Sequence, residues 1–144
     1  MMRTTVSRLL ACIALALTPV VLAAPASADP SRAIVPSWTG VWRNTNNTVH
    51  IKAAPCGSNM CATVVWADDK TKATVASRGA NIIGMQLLRD FRQTDPSNWK
   101  GTVYVPDRDM NVSGTITLLD RNTLKAVGCF LAVICQTRHW TRIS

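Results

Sequence analysis

From Trp38 onward, the apolar residues of this chain recur at every second position rather than every third or fourth. Val49, Ile51 and Ala53 alternate with His50 and Lys52, and Val112, Gly114, Ile116 and Leu118 alternate with Ser113, Thr115 and Thr117. A period of two sends successive side chains to opposite faces of an extended strand. The enrichment in Val, Ile and Thr suits strands with one buried face. Turn-forming clusters cut the pattern at residues 44–47, 55–59, 96–98, 106–109 and 120–122. Eight strands are therefore predicted, near 38–45, 48–54, 61–67, 84–92, 98–105, 111–119, 123–129 and 134–143. Only 68–83 is long and irregular, with Asp68, Asp69, Lys70 and Lys72 near its start and room for a short helix within 71–79.

A sheet of eight strands with almost no helix to cover it folds into a sandwich or closes on itself. Two features favour closure. The first strand contains Gly40-Val41-Trp42 and the last contains Trp140-Thr141-Arg142. A Gly-x-Trp near the start with an Arg near the end of the last strand resembles the signature of lipocalins and other calycins. In those barrels the Trp plugs one end and the Arg lies across it. A cation over an indole face adds roughly 0.5–2 kcal/mol, and an eight-stranded barrel is just wide enough to be filled by side chains or to hold one small ligand.

A closer resemblance covers nearly the whole chain after residue 38. Gly40-Val41-Trp42-Arg43-Asn44, Cys56-Gly57 with Cys61, Val64-Val65-Trp66, Trp99-Lys100-Gly101, Tyr104-Val105-Pro106-Asp107, Gly128-Cys129, and Cys135 with Trp140-Thr141-Arg142 are similar to the bacterial family known as domain of unknown function 2147. The resemblance implies a small exported protein with a lipocalin-like barrel and assigns no reaction. Val112, where many members carry an aromatic residue, and the segment 71–82 depart from the family's pattern. The fold class expected is thus all-β, an eight-stranded antiparallel up-and-down barrel of the calycin type.

The first 28 residues read as an export signal that is removed. Arg3 and Arg8 form a basic start, Leu9 to Ala23 an apolar core, and Ala26-Ser27-Ala28 a small-residue cleavage site. The apolar run, about 15 residues, is too short and wrongly flanked for a stable membrane span. Residues 29–37 form a leader and 38–144 a single domain. Without the signal, the 16 basic residues of the chain fall to 14, against 8 acidic residues that are all aspartate. A periplasmic or secreted protein of this size excludes a cytosolic nucleotide enzyme, a multi-domain machine and an integral membrane protein.

Export also settles the compartment of the cysteines. Cys12 leaves with the signal, so Cys56, Cys61, Cys129 and Cys135 remain. An even number in an oxidising compartment favours disulfides over metal. Four cysteines allow three pairings. Cys56–Cys61 and Cys129–Cys135 are favoured because antiparallel neighbours beside a hairpin turn lie within disulfide reach. A four-cysteine zinc site needs tighter loops, and a redox-active pair lacks the Cys-x-x-Cys on a helix. No metal and no cofactor are expected.

No catalytic constellation is present. His50 and His139 alternate out of phase with apolar neighbours, as outward imidazoles do, without a nucleophile motif. Asp68/Asp69 and Asp107/Asp109 sit in turn regions, where aspartate caps backbone N–H groups. The Lys and Arg residues are scattered singly, which argues against a specific nucleic-acid track and leaves a general attraction to an anionic envelope. The five tryptophans are expected in the core and at the barrel ends.

The reading that follows is a non-enzymatic, preferably monomeric binding protein for a small, largely apolar ligand. A barrel filled by its own side chains, serving a structural or envelope role, is the competing class. Gly40, Trp42, Trp140 and Arg142 form the expected closure. Strand phase places Gln136, Arg138, Trp140 and Arg142 on one face. If that face is the interior, Arg138 and Gln136 line it near the open mouth. A buried guanidinium needs a partner, and an anionic amphiphile held by Arg138, with its tail along Val112, Ile116 and Leu118, supplies one.

Overall fold

The computed structural model describes residues 37–144. The segments proposed as signal and as most of the leader lie outside the described residues. Eight strands follow in order: β1 (Gly40–Asn44), β2 (Val49–Cys56), β3 (Asn59–Ala67), β4 (Gln86–Asp95), β5 (Asn98–Val105), β6 (Met110–Asp120), β7 (Thr123–Phe130) and β8 (Ile134–Arg142). Each pairs antiparallel with its neighbour, and β8 returns to β1 to close the barrel. Every segment of alternating hydrophobicity has become a strand. The meander puts the β1–β2, β3–β4, β5–β6 and β7–β8 connections at one end. The other three turns and the C-terminus lie at the opposite end.

The irregular segment contains one helix, α1 (Asp69–Ala76). Asp68 starts it as N-cap, its Oδ1 accepting from the Thr71 amide at 2.7 Å. The chain leaves the helix through Gly79, whose φ of +77° suits a residue without Cβ. Only Val75 of the helix is buried. Together with Ile82 it joins the core at the β3–β4 end.

The interior is filled from the opposite end. Trp38, Trp42 and Phe91 are fully buried, with Trp99, Ile116 and Leu124 nearly so. Trp38 meets Phe91 and Trp99 edge-on, with ring centroids 5.8 and 6.4 Å apart. Two glycines make room for this cluster. A Cβ on Gly101 would lie 2.7 Å from the Phe91 ring and from the Arg89 carbonyl, and one on Gly114 would strike Val103.

One tryptophan departs from the expected core role. Trp66 is 40% exposed and stacks on His50 across the outer surface, with ring centroids 4.4 Å apart. The cause is a bulge. His50 pairs with Trp66 but Ile51 with Val64, so Val65 is an extra residue. The shifted phase keeps Val64 and Ala67 inside and sends Val65 and Trp66 outside.

Candidate ligand-binding site

The closed end is held by Arg142. It stands opposite Trp42 in the β1–β8 register, and its guanidinium carbon lies over the indole, 4.2 Å from the centroid. Its N–H groups donate to the carbonyls of Arg121 (Nε, 2.7 Å), Thr39 and Ser37. The cation is thus satisfied by backbone dipoles rather than a carboxylate. Burial lowers its pKa, yet arginine stays charged throughout the physiological range. Gly40 is required here: its φ is +132°, and a Cβ would lie 2.5 Å from Arg142 Nη1. Trp140, two pairs along and opposite Asn44, is half-buried against the core but lines the open mouth, so it is not part of the closed end as expected.

At the other end, the barrel opens into a cavity of about 460 Å³. Its apolar surfaces come from Val49, Val75, Ile82, Leu87 and Trp140. Its polar rim includes Lys70, Thr71, Asp107 and Arg138. Asp68 also reaches the rim, but hydrogen bonds from Thr71 occupy its carboxylate and hold its pKa below the usual value.

Arg138 stands at this mouth on β8 with its side chain exposed, so the buried guanidinium expected from strand phase is a solvated one. The β7–β8 register runs without a break from Phe130↔Ile134 to Thr123↔Thr141, so no bulge turns the side chain away. Its Nη2 donates to Gln136 Oε1 at 3.1 Å and its Nη1 to the Thr137 carbonyl at 3.1 Å. Among the described residues the one ion pair is Lys72–Asp69, so Arg138 meets no carboxylate there. A second, smaller cavity of about 250 Å³, between the β1–β2 turn and β8, also has Arg138 in its wall.

The remaining sequence-derived ligand contacts require correction. Ile116 is 1% exposed within the packed core and Leu118 packs against that core. Neither they nor Val112 line the mouth cavity. Trp38, Phe91 and Trp99 occupy the interior through which a tail along β6 would have run. Gln136 is exposed and touches the site only through Arg138. The contacts that sequence reasoning missed come from α1 and the loop after it, and from Val49 of β2 and Leu87 of β4. The available signal was Asp68-Asp69-Lys70-Thr71, a helix start, with Val75 and Ile82 as isolated apolar residues beyond it.

The cysteines are bonded as Cys56–Cys61 and Cys129–Cys135, clamping the β2–β3 and β7–β8 hairpins. Such bonds fit an oxidising, exported environment. Asp90 lies beside the first pair, but both sulfurs are committed to each other. His50 and His139 sit on the outer surface, the former bonded to Asn47. Among the described residues no helix is long and apolar enough to cross a membrane.

Residues 40–142 match the family described as "Uncharacterized protein conserved in bacteria (DUF2147)". The chain belongs to that family. This DUF2147 barrel is also similar in structure to protein HP1028 from Helicobacter pylori, described as belonging to the lipocalin family. The TM-score is 0.61 at 13% identity, covering 75% of this chain and 84% of that one. At that identity the likeness is one of fold: the DUF2147 chain forms a lipocalin-like barrel. No curated protein matches its sequence.

Proposed function

We propose that this exported barrel binds a small amphiphilic anion at its mouth, without catalysing a reaction. The anionic group sits on Arg138, and the apolar part rests on Val49, Val75, Ile82, Leu87 and Trp140. The observation that carries this reading is Arg138 itself, a guanidinium at the mouth whose hydrogen bonds go only to an amide side chain and a carbonyl. A carboxylate or phosphate would engage its fork in two charge-assisted bonds. The cavity, at about 460 Å³, falls within the roughly 300–1,000 Å³ of small-molecule sites. The packed aromatic interior confines the ligand to the mouth.

Native mass spectrometry of protein purified from its own envelope tests the reading, followed by titration with medium-chain fatty acids. Binding by the wild type, lost on Arg138→Ala, is the expected result. Equal binding by both proteins, or by neither, overturns it. A second reading draws on the buried Trp38–Phe91–Trp99 cluster: a barrel filled by its own side chains that serves as a structural envelope protein. Absence of any bound small molecule in both experiments selects it.

A further inference from the structure

The β7–β8 hairpin ends in five consecutive apolar residues, Phe130-Leu131-Ala132-Val133-Ile134, just inside the Cys129–Cys135 bond. These side chains are not folded away. Phe130 is 41% exposed, Ile134 61%, Leu131 73% and Val133 81%. The turn itself is an unusual place for them. Leu131 and Ala132 both have positive φ, +50° and +59°, and the Val133 amide closes the turn onto the Phe130 carbonyl. Asn-Gly is the sequence that such a turn favours, because an ordinary side chain there is strained. Backbone preference and solvation both oppose this composition.

Charge is distributed on the hairpin in a matching way. The twelve residues from Ala126 to Thr137 carry none, and Lys125 and Arg138 bracket them. From Arg121 to Ser144 every charged residue is basic. We propose that this hairpin is a membrane-docking tip that inserts its five apolar residues into the surface of an anionic lipid bilayer. Interfacial segments bury their apolar face about 5–10 Å deep. Arg138, four residues beyond Ile134, lies about 13 Å along the strand, within reach of the headgroups through its long side chain. The β5–β6 turn at the same end carries Asp107, Arg108 and Asp109.

A second copy of the chain is a poorer occupant. A stable protein interface takes about 800 Å² and 20–30 residues from each partner, and this tip offers five. Strand addition along β8 is also restricted. β1 ends at Asn44 opposite Trp140, but Thr45 Oγ1 then donates to the His139 carbonyl and covers the edge just beyond it. The docking surface shares Arg138 with the proposed anion site, but none of the five tip residues lines that site, and the tip is tested with Arg138 left in place, so the two readings fail separately.

Flotation with vesicles tests it, using the oxidised protein and equal parts of phosphatidylcholine and phosphatidylglycerol. The informative variant is Leu131→Asn/Val133→Ser. Asparagine tolerates positive φ, so this hairpin folds at least as well as the original while losing its apolar tip. The expected result is that the wild type floats and the variant partitions about tenfold more weakly or worse. Lys125→Gln and added salt should each weaken the wild type, and vesicles of phosphatidylcholine alone should bind it poorly. Both proteins share the same N-terminus, so residues 1–36 contribute equally. Equal flotation of wild type and double variant, or none by the wild type, overturns the proposal. So does binding that is indifferent to phosphatidylglycerol. A lipid-free wild-type dimer that becomes a monomer in the double variant assigns the tip to a second copy instead.

Discussion

The guanidinium of Arg142 lies over the ring of Trp42, 4.2 Å from its centroid, while the indole N–H donates to the Trp38 carbonyl at 2.8 Å. First and last strands are therefore joined by side chains as well as by three register pairs. The same cation holds the β6–β7 turn through the Arg121 carbonyl. Removing either residue should loosen the closed end.

Trp42→Ala should cost about 3–5 kcal/mol, as for other large buried aromatics. Arg142→Ala should cost about 1–2 kcal/mol, since the half-exposed cation loses one π contact and its carbonyl partners regain water. Because the two touch, the double variant should cost less than the sum. Urea unfolding of the four proteins measures the coupling. Strict additivity would mean that the closure contributes nothing as a unit.

Trp38 and Trp42 are equally buried but differ in one hydrogen bond. The Trp42 indole nitrogen has a partner, whereas Trp38 Nε1 is buried with none among the described residues. Phenylalanine at position 38 releases an unsatisfied donor, which offsets part of the lost volume. Phenylalanine at position 42 discards a bond and leaves the Trp38 carbonyl without that donor. Trp42→Phe should therefore be the more destabilising by about 1–2 kcal/mol. Equal midpoints in chemical denaturation would contradict this.

Gly101 and Gly114 face Phe91 from neighbouring strands. The Gly101 contact involves the Arg89 carbonyl as well as the ring, so the neighbour cannot simply rotate away. Gly101→Ala should destabilise by about 1–3 kcal/mol through overpacking. Phe91→Leu in the same chain should recover part of that loss while introducing its own cavity. Thermal unfolding of the single and double variants gives the comparison, and a neutral Gly101→Ala would refute the tight fit.

Strand number and order were legible because each strand has one buried face, and burial writes a period of two into the sequence. The β7–β8 register kept that phase, so Arg138 could be placed near the mouth from alternation alone. Two kinds of feature were not legible. A single inserted residue, Val65, reverses the phase beyond it, which turned Trp66 outward against expectation. The occupancy of the interior depends on which aromatics meet across strands distant in sequence. Phe91 reaches Trp38 from β4, and periodicity carries no trace of that contact. Ile116 and Leu118 were correctly inward, but inward meant packed rather than available. A short helix within 71–79 was expected and α1 covers most of that range, but its place at the mouth was not legible, since α1 buries only Val75 and so shows almost no amphipathic pattern.

Acid should open the mouth before it unfolds the barrel. Asp68 caps α1 through the Thr71 amide, and hydrogen bonds from the Thr71 side chain and then from its amide hold the Asp68 pKa below the ordinary carboxylate value. A carboxylate with a depressed folded pKa contributes its stability above the unfolded value and loses it as pH falls through the folded one. Protonation therefore weakens the cap as pH falls below the ordinary carboxylate value toward the lowered folded one. Asp95 and Asp120 are depressed by hydrogen bonds in the same way, Asp95 chiefly by Asn98 and Asp120 chiefly by the Asn122 amide. They lie in turns at the closed end, where the paired strands and the Arg142–Trp42 contact persist. Beyond Val75 and its own hydrogen bonds, the helix is tied to the barrel by the Asp68 amide donating to the Thr48 carbonyl at 2.9 Å. Hydrogen exchange at the α1 amides should therefore accelerate on the acid side before the β5 and β6 amides respond. Asp68→Asn supplies the control, because asparagine caps a helix without titrating. In that variant α1 should stay protected to lower pH, and any ligand held against Val75 and Thr71 should lose its acid-dependent release. Simultaneous loss of protection in α1 and the barrel, unchanged by Asp68→Asn, would show that the cap does not control the mouth.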